Sequence, residues 1–128
     1  MRNLLLALCC VWTFTVCAAQ TPVVSQQALL DARRADEQIL LLDVRSAEEF
    51  QHEHIPGATN ISYDQLAVRW QELAEYKDTP TIVYCRSGRR AGIAEEILKQ
   101  QGFNQLLHLE GDFIGWKANR LPLESFAK

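Results

Sequence analysis

From Ser25 onward, apolar and polar positions fall into short blocks whose spacing switches between strand and helix periods. ILLLD at 39–43 and TIVY at 81–84 are continuous apolar runs of strand length. Runs without polar alternation suit strands covered on both faces. Ala58 to Ile61 and Leu106 to Leu109 read as two further strands. Between them lie helical signals. Ser25 can cap a helix over 26–34, and Ser46 with Glu49 forms a capping box for a short helix from Ala47 to just before HIPGA at 54–58. Ser62 and Gln65 repeat that pattern ahead of Leu66, Trp70, Leu73 and Ala74, which share one helical face. Ala91, Ala94, Ile97 and Leu98 mark an amphipathic helix, with Glu95 and Lys99 spaced to pair and Gly102 placed as its stop. Strands alternating with helices predict a single three-layer α/β domain with a mainly parallel central sheet flanked by helices. Sites in such sheets form at the carboxyl ends of the strands. TIVY delivers the chain to Cys85 at one such end.

The first 19 residues change the chemistry expected of that cysteine. Arg2, an apolar run from Leu4 to Val16 and small residues at Cys17, Ala18 and Ala19 read as a signal peptide cleaved after Ala19, leaving residues 20–128 as the exported domain. The run is short for a membrane span, and no small residue precedes Cys9 or Cys17 as a lipid-anchor signal requires. The expected location is the periplasm, without stable membrane association after cleavage. Cleavage removes Cys9, Cys10 and Cys17, so Cys85 is the only cysteine of the mature chain and has no intramolecular disulfide partner. A lone thiol in an oxidising compartment calls for a chemical role. The formal net charge of −3 becomes one unit more negative when Arg2 is lost. That balance points away from nucleic acid, and the positive charge near Cys85 is local.

YCRSGRRAG at 84–92 packs that thiol with Arg86, Arg89 and Arg90. Gly88 permits a positive φ, and successive backbone N–H groups of the turn, with the helix that follows, can form an anion-binding nest. The arginines add forked donors for oxyanions. Packing alone does not explain them, because positive charge at a helix N-terminus opposes the helix dipole unless an anion visits. A magnitude shows what the field is for. Lowering a cysteine pKa from about 8.5 to about 6.5 raises the thiolate fraction at pH 7 about 24-fold, but nucleophilicity falls about eightfold in return. Anion capture and better departure of the sulfur are the larger gains, which favours group transfer through a covalent cysteine intermediate.

The loop CRSGRR, the upstream LLDVRSAEEFQHEHIPGA and the terminal LLHLEGDFIGWKANRLPLE resemble the three signature regions of the rhodanese family of sulfurtransferases, in their order and spacing. With a leader and one domain, the chain is similar to the small periplasmic thiosulfate sulfurtransferases of bacteria. The resemblance implies a Cys85 persulfide, formed from a small anionic donor such as thiosulfate and discharged to cyanide or a thiol acceptor, with no cofactor. It implies that the amides from Arg86 to Arg90, including those of Ser87 and Gly88, stabilise the persulfide while the arginines orient the sulfonate. It assigns Asp43 and Arg45 to supporting pairing near the site; Arg45 and Glu49 are also spaced as a local ion pair. Where the family often has two glycines before its last helix, this chain has Gly111-Asp112, a departure remote in sequence from Cys85.

Three rival readings remain. Phosphatases and arsenate reductases of related design resemble Cys-x5-Arg, but position 91 is Ala91, and the six-residue loop makes a tighter cradle. A catalytically silent binding module commonly lacks the cysteine, which this chain keeps. A persulfide carrier serving a protein partner uses the same chemistry. His52, His54 and His108 do not converge in the sequence as zinc ligands must, so no metal is expected, and Trp70 and Trp116 read as packing.

Overall fold

A computed structural model of the chain describes residues 20–126; the expected signal peptide lies outside them. Five strands form one parallel sheet: β1 (Val23–Val24), β2 (Leu40–Asp43), β3 (Thr59–Asn60), β4 (Thr81–Tyr84) and β5 (Leu106–Leu109), in the order β1-β5-β4-β2-β3. The helices are α1 (Gln26–Arg34), α2 (Ala47–His52), α3 (Leu66–Arg69), α4 (Arg89–Gln100) and α5 (Asp112–Ala118).

All four residues of β2 and of β4 are buried, as strands covered on both faces must be. Their alternation sorts the core into two layers. Leu40, Leu42, Val83 and Cys85 pack with Leu66, Ala91, Ala94 and Leu98 from α3 and α4. Leu41, Ile82 and Tyr84 pack on the opposite face with Leu29 of α1 and with Phe113 and Trp116 of α5. The chain is therefore a three-layer α/β domain. No helix among the described residues is long and apolar enough to cross a membrane.

Local signals set several boundaries. Ser25 caps α1 by accepting from the Ala28 amide at 3.0 Å. Ser46 and Glu49 form the expected capping box at α2. The second expected box does not form. Ser62 donates to Asp64 instead, α3 lasts four residues, and a 3-10 segment follows over Trp70–Tyr76. Short polar side chains bond to nearby groups in competing turns, and here the turn wins. The edge strand β1 was not expected. Its two residues carry no readable period, and it exists through pairing with β5: the His108 and Glu110 amides donate to the Pro22 and Val24 carbonyls.

The strand order decides what meets at the carboxyl edge. Central β4 ends at Cys85, with β2 leading into Arg45 on one side and β5 leading into Gly111 and Asp112 on the other.

Candidate active site

Cys85 is 1% exposed, at the floor of a turn whose next two residues, Arg86 and Ser87, are exposed. Gly88 adopts φ +114° and opens α4. A side chain is strained in that conformation, so glycine is needed there. Its amide donates to Cys85 Sγ at 3.0 Å. A backbone donor thus points at the sulfur from the start of a 12-residue helix, whose dipole favours negative charge at the same place.

The three arginines have different surroundings. Arg86 and Arg89 are exposed and form no ion pair among the described residues. Arg90 is turned sideways onto Glu49, with contacts of 2.6 and 3.0 Å. The Arg90 hydrogen bond, against opposing partial burial and with help from Ser46, draws the Glu49 pKa from 4.5 down to about 2. Of the three arginines expected to orient an anion, Arg90 therefore has its guanidinium already engaged. The expected Arg45–Glu49 pair does not form, because Glu49 reaches across to α4 instead. Glu95 and Lys99 also part company: Lys99 meets Glu96 at 3.6 Å, and Glu95 turns inward.

Asp43 and Arg45 form a buried pair beneath the loop, with Nη2 to Oδ2 at 2.6 Å and Nε 3.1 Å from each carboxylate oxygen. Arg45 also donates to the Glu53 carbonyl at 2.7 Å. Burial opposes the charge on Arg45, but Asp43 outweighs it and the guanidinium pKa is raised. The cation lies 4.0 Å from the Phe113 ring centroid. Phe113 in turn donates its amide to the Cys85 carbonyl at 2.9 Å, and the Ile114 amide donates to the Arg86 carbonyl at 3.1 Å. The first turn of α5 thus satisfies two of its free N–H groups with the Cys85 loop. Tyr84, its phenol pKa raised mainly by burial, accepts the Ile55 amide at 3.2 Å and ties the end of β4 to the HIPGA turn.

Gly111-Asp112 is not remote from Cys85 in space. Asp112 Oδ1 accepts the Cys85 amide at 3.0 Å, and Oδ2 meets His108 Nε2 at 2.9 Å. His108 Nδ1 reaches Glu95 at 2.5 Å. Asp112 first, then Glu95, raises the His108 pKa from 6.5 to about 10 against the cost of burial. The replacement of a second glycine by Asp112 was the one sequence signal for this cluster. His54 serves elsewhere: Nδ1 contacts the Phe50 carbonyl at 2.7 Å, Nε2 lies 3.3 Å from Glu124, and the ring stacks on Phe50. No cluster suited to a metal occurs among the described residues. Ala91 is fully buried in the core, packed in the same layer as Cys85, Ala94 and Leu98.

Comparison with known proteins agrees with this geometry. The family model described as "Rhodanese-like domain" matches residues 25–119. A protein named "Sulfurtransferase" from Allochromatium vinosum is 37% identical over 95 residues, covering 73% of this chain and 87% of that protein. The thiosulfate sulfurtransferase GlpE of Vibrio cholerae is 31% identical over 99 residues, covering 77% of this chain and 88% of its own length. The crystal structure of a thiosulfate sulfurtransferase from Pseudomonas aeruginosa superposes with a TM-score of 0.75 at 26% identity, over 81% of this chain but only 20% of that one. The chain therefore belongs to the rhodanese-like domain family, in the company of sulfurtransferases.

Proposed function

We propose that the protein transfers a sulfane sulfur from thiosulfate to cyanide or a thiol through a persulfide on Cys85. The observation that carries this reading is the Gly88 amide 3.0 Å from Cys85 Sγ, at the base of a turn whose exposed Arg86 and Arg89 carry no ion pair among the described residues. In the first step the Cys85 thiolate attacks the outer sulfur of thiosulfate. The new bond joins the two sulfurs as the bond to the sulfonate sulfur breaks, and sulfite departs with the electron pair. In the second step cyanide or a thiolate attacks the outer sulfur, and Cys85 leaves as thiolate. Both steps move a single negative charge across the same few atoms, which a fixed amide and helix dipole serve without rearrangement. Rim arginines draw in the anionic donor. Phosphoryl transfer is disfavoured because Ala91 is buried where a phosphate-binding arginine would stand and Arg90 is held by Glu49.

We also propose that the chain works in the periplasm after losing residues 1–19, a reading that rests on the leader pattern. Incubation of the purified protein with thiosulfate should add the mass of one sulfur atom. Cyanide should remove it as thiocyanate, and Cys85→Ser should abolish both. An unchanged wild-type mass with no thiocyanate would overturn the reading. Cell fractionation with N-terminal sequencing tests the location.

A further inference from the structure

Asp112 has φ +51°, in the left-handed region that an aspartate tolerates and a glycine occupies without strain. The chain keeps a side chain there, and that side chain binds one end of the arc that cradles the thiol and borders the other. One carboxylate oxygen accepts the amide of Cys85 at 3.0 Å. The other lies 3.3 Å from the point a Cβ would occupy on Gly88, so it closes the space beside that residue to any side chain. Gly88 is the residue whose amide donates to Cys85 Sγ. Cys85, Asp112 and Glu95 are all buried, and His108 of β5 bridges the carboxylates of Glu95 in α4 and Asp112 in α5. Removal of the Asp112 acceptor would leave a buried Cys85 N–H with no partner, or let the turn shift until it found one.

We propose that Asp112, held by His108, which Glu95 holds in turn, is a positioning residue for Cys85: by taking the Cys85 amide it fixes the start of the turn, and so sets the contact between the thiol sulfur and the Gly88 amide. The effect on turnover rests on the sulfurtransferase reading; the effect on the loop does not. Positioning of this kind acts on the chemical step more than on capture of the donor, because the rim arginines are untouched.

Two substitutions separate this role from a purely structural one. Asp112→Gly removes the carboxylate and relieves the backbone. Asp112→Asn keeps Oδ1 for the Cys85 amide, and its Nδ2 can donate to a neutral His108 whose other nitrogen still donates to Glu95, so the same hydrogen bonds survive without the charge. In the glycine variant, hydrogen exchange of the Cys85 amide should accelerate by about ten- to a hundredfold, the range for losing a hydrogen bond to a charged group. With thiosulfate its kcat should fall about tenfold with KM within about twofold, and its Tm should fall by several degrees, because the unpaired Cys85 N–H and the broken contact with His108 outweigh the relief of the positive φ. The asparagine variant should retain most of the exchange protection and keep kcat within about threefold of wild type. A glycine variant with wild-type kcat, or with unchanged Cys85 amide exchange, would overturn the proposal. So would a fall in kcat that merely tracks a lowered Tm in both variants. If wild type does not turn over thiosulfate, the sulfurtransferase reading fails, and amide exchange still decides the positioning role.

Discussion

Charge at the rim of the Cys85 loop and charge at its floor are handled in opposite ways. Arg86 and Arg89 stand in solvent without ion pairs among the described residues, whereas Asp43 and Arg45 are buried on each other and the half-buried His108 joins the buried carboxylates of Asp112 and Glu95. Arg90 marks the boundary, one residue from Arg89 in the chain yet held on Glu49. Free charge at the rim can gather an anion, and paired charge at the floor can hold the backbone that receives it. The same residue types therefore serve recognition or architecture according to whether a partner already occupies them.

The sharpest break in this comparison comes from the floor. Asp43→Ala should destabilise the fold by about 3–5 kcal/mol, as removing one partner of a buried ion pair does. At this domain size Tm should fall by about 15 °C or more in calorimetry. A fall of only a few degrees would mean that Arg45 finds another partner. At the rim, Arg86→Ala and Arg89→Ala should each raise KM for thiosulfate about fivefold with little loss of kcat or Tm, and the double variant should lose most of the salt dependence of KM. Arg90→Ala should show the reverse pattern, with stability and kcat affected before KM. If Arg90→Ala raises KM as much as Arg89→Ala, the division between rim and boundary is wrong.

pH gives a smaller test of the two paired clusters, because they weaken at opposite ends of the scale. His108 has a folded pKa of about 10 against an ordinary 6.5, so its contribution is complete below about pH 6.5 and is lost as pH rises through 10. The groups facing it are Asp112 from α5 and Glu95 from α4, and Glu96 shares the surface depression beside it with Thr21 and Val23. Glu49 has the opposite sign. Its pKa lies at about 2 against 4.5, so its contribution is present above about pH 4.5 and is lost as pH falls through 2. Urea midpoints measured across pH should therefore decline on the alkaline side in a His108-dependent way and on the acid side in a Glu49-dependent way. His108→Gln should flatten the alkaline limb alone, and Glu49→Gln the acid limb alone. A His108→Gln profile parallel to wild type above pH 7 would show that the imidazole does not carry the coupling.

Legibility in the sequence followed range. Ser46 and Glu49 are three residues apart, so their capping box depends only on local backbone and was readable. Gly88 was readable for the same reason, since the glycine in the short turn between strand and helix is the residue that permits a positive φ there. Ser62 and Gln65 carried the same local pattern and misled, because Asp64 offered the Ser62 hydroxyl a nearer partner. Arg90 and Glu49 lie 41 residues apart, and Cys85 and Asp112 lie 27 apart. No periodicity joins residues at such separations; only the strand order does.

From the sequence alone came the alternating α/β architecture, the cysteine at a strand end, the positive loop after it and the group transfer through cysteine that these favour, with the resemblance to rhodaneses adding sulfur as the group. Such features arise from neighbouring residues and from which faces must avoid water. Tertiary structure decided which charges stay free. It set β4 between β2 and β5, brought Arg45 and Asp112 to the two sides of Cys85, and turned Arg90 toward Glu49 while Arg89 stayed in solvent. A charged side chain takes its role from whatever lies within a few ångströms, and that neighbourhood exists only once the sheet has formed.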